Sequence, residues 1–129
     1  MRRPPNCRRK HDRFPLDASH GGTIEFAFPD RDGALCSMPL RDVSQAGLSF
    51  VLGHELPGLE VGDSLDRACV RLNGREVRGD VLVMRLTPDA SRGAVCGGLF
   101  YPVDDADILT MRALVADLET ADLAETAER

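Results

Sequence analysis

The sequence predicts a mainly β domain, a small barrel or sandwich of antiparallel strands with one amphipathic helix packed across it. Three observations predict this class. Short runs of alternating apolar residues recur between clusters of turn-forming residues, and an Asn-Gly pair joins two of those runs. Only the end of the chain changes to a helical period. The 129 residues are enough for one domain and too few for two comfortable ones.

Residues 1–13 are polar, basic and contain Pro4 and Pro5, so they are expected to form a flexible arm. Pro15 biases Phe14 towards extended backbone, which brings the arm into the fold as strand or loop. In 23-TIEFAF-28, Ile24, Phe26 and Phe28 share one face, and Pro29-Asp30 ends the run. The run 34-ALCSMPL-40 follows the turn-rich 29-PDRDG-33. Asp42, Ser44 and Gly47 then have the chemistry of a turn, with Asp and Ser bonding local N–H groups and Gly left-handed. The strand 48-LSFVL-52 comes next, closed by Gly53 and the loop 57-PGLEVGD-63.

The clearest local signal is 68-ACVRLNGREVRGDVLVMRL-86. Ala68, Val70 and Leu72 alternate, and Val77, Val81 and Val83 resume the pattern. The intervening Asn73-Gly74 tolerates the positive φ angles of a type I′ hairpin turn. After 87-TPDASRG-93 the last strand is 94-AVCGGLFY-101, where Gly97-Gly98 signals a bulge or a close approach to the backbone. Over residues 105–123, Ile108, Met111, Val115 and Leu118 recur at helical spacing, with Leu114 beside them. Asp104, Asp105 and Asp107 suit the start of that helix as caps and by charge. Residues 121–129 are expected to fray.

The net charge of −5 hides an asymmetry. Residues 1–13 hold six Lys/Arg against one acid, +5, which leaves ten basic and twenty acidic residues in the rest, −10. A basic arm on an acidic body points to an anionic partner for the arm. The acidic body argues against broad nucleic-acid binding, which needs a basic face. No apolar run is long enough to span a membrane, and no apolar h-region follows the basic N-terminus, so a cytoplasmic protein is expected. The four cysteines and three histidines are isolated from one another, so neither a metal site nor a disulfide framework is expected. No nucleophile elbow, phosphate loop or zinc-protease motif occurs, and no catalytic residue is nominated.

Two motifs remain. Arg9-x-x-x-Arg13 lies in the arm, preceded by Arg8. The guanidinium fork matches phosphate oxygens or the O6/N7 edge of guanine, and its plane can stack on a base. Asp42-x-Ser44-x-x-Gly47 offers a carboxylate and a hydroxyl able to face guanine N1–H and N2–H₂. Taken together, in this order and separation, 9-RKHDR-13 and 42-DVSQAG-47 resemble the two motifs of the PilZ family, receptor domains for cyclic di-GMP. The entry 13-RFPLDA-18 and the ending 97-GGLFYPVDDADI-108 are similar to the family as well, so the resemblance covers roughly residues 8–120.

The resemblance implies a six-stranded antiparallel β-barrel with a C-terminal α-helix packed on it over residues 14–120, and non-catalytic binding of cyclic di-GMP without a cofactor. By position, Arg8, Arg9 and Arg13 would hold phosphate or stack on guanine. Asp42 and Ser44 would read guanine edges, and Gly47 would let the ligand lie close. Arg8 favours an intercalated pair of ligand molecules. No second effector domain fits in the chain, so output to motility or biofilm functions is expected through a partner protein. The alternative is a PilZ-fold interaction module that does not bind the nucleotide.

Overall fold

The computed structural model describes residues 14–16, 21–28, 33–52, 56, 58–89 and 93–127. The arm of residues 1–13 lies outside them. Seven strands and a helix follow in order: β1 (Phe14–Pro15), β2 (Thr23–Phe28), β3 (Ala34–Val43), β4 (Gly47–Leu52), β5 (Ser64–Leu72), β6 (Arg75–Asp89), β7 (Gly93–Pro102) and α1 (Asp105–Ala127). All pairings are antiparallel. The order β3-β2-β5-β6-β7-β4 closes on itself, because β4 also pairs with β3. The six-stranded barrel with a C-terminal helix is therefore the observed fold. The short β1 is an added strand, paired to the end of β3.

The alternating residues build the interior. Ile24 and Phe26 of β2, Met38 and Leu40 of β3, Leu48 and Phe50 of β4, Val70 of β5 and Val77, Val81 and Val83 of β6 are all buried. Phe26 and Phe50 meet at the centre, with ring centroids 5.5 Å apart and planes tilted by 52°. Asn73 and Gly74 take φ angles of 53° and 78°, which closes the β5–β6 hairpin as the sequence predicts.

Two boundaries that bear on function differ from expectation. β3 runs on to Val43, so Asp42 is a strand residue and the turn shrinks to positions 44–46. Gly47 is not left-handed; it opens β4 in ordinary strand backbone. The long ladder with β7 holds it there. A Cβ on Gly47 would overlap the carbonyl oxygen of Gly98.

Helix α1 lies against β6 and β7. Met111, Leu114, Val115 and Leu118 form its buried face. Ile108 was expected on that face but is partly exposed, because it sits in the first turn, at the edge of the contact. Asp104 caps the helix by accepting a 3.0 Å hydrogen bond from the Asp107 N–H. Asp107 in turn accepts one from the Arg78 N–H of β6 at 3.0 Å, which pins the helix start to the barrel.

The backbone bond from Asp107 holds the Asp104 carboxyl below its ordinary pKa. A depressed folded-state pKa gives stability that is full above the ordinary carboxylate value and is lost as pH falls through the folded one. The melting temperature is therefore expected to fall below about pH 4. Asp104→Asn keeps an acceptor for the cap but does not titrate, so its melting temperature should decline less steeply over the same range.

Candidate functional site

Strand side chains alternate between faces, so a residue two places after an inward one points inward again. Met38 and Leu40 face the core, which would send Asp42 there too. Instead Arg41 is an extra residue in the ladder: Leu40 pairs with Phe50, but Asp42 pairs with Ser49. This bulge gives the inward place to Val43, which is 0 % exposed, and turns Asp42 outward. Strand β6 repeats the device. Val83 pairs with Gly98 and Arg85 with Gly97, so Met84 is the extra residue. Leu86 then packs against the core, and Arg85 moves to the outer face.

The registers place four residues in one row across the outer surface. Asp42 pairs with Ser49, Ser49 with Gly97, and Gly97 with Arg85. Gly97 contributes no side chain, so the row is notched between an acid and a cation. The notch holds about 190 Å³ and is lined by these four residues together with Arg41 and Thr87, among others. The Arg85 guanidinium reaches over Gly97, with Nη2 and Nε 3.5 and 3.6 Å from where a Cβ would stand. Arg41 Nη1 lies 3.4 Å from Asp42 Oδ2. Ser49 is 2 % exposed, and its hydroxyl has no hydrogen-bond partner among the described residues.

Ser44 is committed to its turn. Its N–H donates to the Gly47 carbonyl at 2.8 Å, and its Oγ accepts from the Gly47 N–H at 3.1 Å. The hydroxyl also donates to that carbonyl at 3.3 Å, which leaves one acceptor lone pair. The turn therefore fixes the strand end from which Asp42 projects.

Arg8, Arg9 and Arg13 lie outside the described residues. The strand that follows Arg13 is β1, in which Phe14 pairs with Val43 and Pro15 with Asp42. The Leu16 N–H donates to the Arg41 carbonyl at 2.9 Å and continues that pairing. The strand that follows the arginine motif in sequence thus joins the barrel beside Asp42.

Ser49, Arg85 and Arg41 were not singled out from the sequence. For Arg85 a signal exists: the period of Val77, Val81 and Val83 assigns the next inward place to a charged residue, and only a bulge avoids that. The remaining chemistry is sparse. Burial pushes the Cys96 thiol up to about 11 and raises Cys69 as well, so both stay protonated at neutral pH. Among the described residues no three His, Cys, Asp or Glu gather as a metal site, and no helix is long and apolar enough to cross a membrane.

A closed six-stranded barrel ending in a helix laid on two of its strands is a fold that this chain shares with solved structures, a PilZ domain among them. Solved structures bear out the fold. K. pneumonia MrkH, in a structure described as a c-di-GMP complex, matches with a TM-score of 0.71 and 18% identity, over 97% of this chain and 55% of that one. Bacillus subtilis MotI/DgrA, described as an inhibitor of motility, matches at 0.70 and 18%, over 96% and 53%. The PilZ domain of Escherichia coli YcgR with c-di-GMP matches at 0.67 and 17%, over 95% and 98%. The chain spans about half the length of the MrkH and MotI chains and nearly all of the isolated YcgR domain. No protein-family model and no curated protein matches the sequence.

Proposed function

We propose that this protein is a non-catalytic receptor for cyclic di-GMP. The observation that supports it most is the outward turn of Asp42, made by a bulge, next to the strand that follows the Arg9-x-x-x-Arg13 arm. A carboxylate there accepts from guanine N1–H and N2–H₂, and arginines arriving along the same edge supply the donors that phosphates need. Solved neighbours of the same fold carry this ligand.

In this scheme Arg8, Arg9 and Arg13 grip phosphate and stack on guanine, while Asp42 reads the base. Ser44 sets the turn and keeps one acceptor lone pair for the ligand. Gly47 keeps β4 close to β7. The dianionic ligand neutralises much of the +5 arm and orders it over the barrel, and the ordered arm offers a surface to an effector protein. Two stacked ligand molecules fill the site, with Arg8 as the additional stacking cation.

Calorimetry with cyclic di-GMP tests the proposal. The wild type is expected to bind with two ligands per chain. Arg13→Ala should lose roughly 100-fold, the scale of one or two charge-assisted hydrogen bonds. Absence of heat in the wild type would leave a PilZ-fold interaction module. NMR mobility of residues 1–13 tests the mechanism, and an arm equally mobile with and without ligand would refute it.

A further inference from the structure

Resting on that proposed function, we infer that Ser49, Gly97 and Arg85 form a second half of the nucleotide site, and that Arg85 with Ser49 takes a phosphodiester oxygen of the ligand. Three observations converge on it. Arg85 reaches the outer face only because Met84 is bulged out of the β6–β7 ladder, and bulges beside binding sites re-aim side chains in this way. Among the described residues its guanidinium makes no ion pair, although the body of the protein is strongly acidic. Ser49 lines the same notch, almost fully buried, with its hydroxyl unpartnered among the described residues. A buried hydroxyl without a partner is unfavourable, and a ligand acceptor in the notch relieves it.

The row also has a polarity. Asp42 stands at one end and Arg85 at the other, three strands further along the barrel wall. A carboxylate repels phosphate and attracts the N–H edge of a base, whereas the guanidinium fork does the reverse. The ligand therefore lies along the row with its guanine edge towards Asp42 and a phosphate towards Arg85. Gly97 between them gives it room against the sheet. The nearest atoms to a Cβ at Gly97 belong to the flexible end of Arg85, so the fold itself does not demand a glycine there.

Calorimetry and thermal melts of the full chain and four variants decide it. Arg85→Ala should weaken cyclic di-GMP binding at least tenfold with an unchanged melting temperature. Arg85→Lys should lose less, because an ammonium still faces the phosphate. Gly97→Val should fill the notch and weaken binding comparably to Arg85→Ala. Ser49→Ala should move the two readouts in opposite directions, with a higher melting temperature for the free protein and several-fold weaker binding. A serine that merely supported the fold would lower the melting temperature on removal. Wild-type binding together with Arg85→Ala binding within threefold of it overturns the inference alone. No binding by the wild type overturns the cyclic di-GMP receptor as well.

Discussion

Gly47→Ala is expected to destabilise the barrel by about 3 kcal/mol, the upper part of the range for overpacking, and to lower the melting temperature by roughly 10 °C. Gly47 is paired with Leu99 at the start of the β4–β7 ladder. An added methyl would overlap the Gly98 carbonyl oxygen and crowd the Gly98 carbonyl carbon at 3.3 Å. Both obstacles are backbone. They cannot rotate away, and moving them disturbs two ladders at once, since β7 also pairs with β6. Gly97→Ala is the control, because its methyl meets only the tip of Arg85 at 3.5 Å. Urea denaturation of the two variants should separate them cleanly. A Gly47→Ala protein as stable as the wild type would show that the ladder absorbs the methyl. The functional corollary is that lost ligand binding in a Gly47 variant reports a damaged barrel, so the third residue of the Asp-Ser-Gly motif is a fold requirement.

The Asp-Ser-Gly motif is only partly legible in the sequence, and the structure separates its members. Ser44 is legible as a turn former because its partner, Gly47, is three residues away and local chemistry suffices. Asp42 looked like part of the same turn, since a carboxylate before a serine and a glycine usually caps a loop. Its true place depends on Arg41 being skipped in the pairing with β4, more than a turn's length away in sequence. Nothing local encodes that. Arg85 was hidden for the same reason, its neighbours in the row being contributed by strands β4 and β7. The strands themselves were legible wherever inward residues alternate, as in Ile24/Phe26 and Val81/Val83. The start of β5 was not, because the strand begins at Ser64 and carries a bulge between Leu65 and Ala68 that breaks the alternation. Arg67 takes a φ of 59° within that bulge, its N–H donating to Asp80 at 3.0 Å, a conformation that few non-glycine residues adopt.

Phe50→Ala is expected to cost about 3–5 kcal/mol, the usual loss for a buried phenylalanine. Phe50 is 0 % exposed and packs against Phe26 at the centre of the barrel. Against a total stability of about 5–15 kcal/mol, this leaves a marginal domain. Its neighbour Ser49 points the opposite way, into the notch, so the same substitution should leave the outer row almost unchanged. The two effects can be told apart by adding ligand. At 100 times the dissociation constant, a ligand that binds only the folded state adds about 2.7 kcal/mol of stability. Urea unfolding of Phe50→Ala should therefore shift upward with cyclic di-GMP by as much as the wild type does, from a much lower starting midpoint. Arg85→Ala should behave inversely, starting at the wild-type midpoint and gaining no more than about half as much, about 1.4 kcal/mol for a tenfold loss of affinity. A Phe50→Ala protein that gains nothing from the ligand would mean that the inner and outer faces of β4 are coupled, with the notch held in shape by the core beneath it.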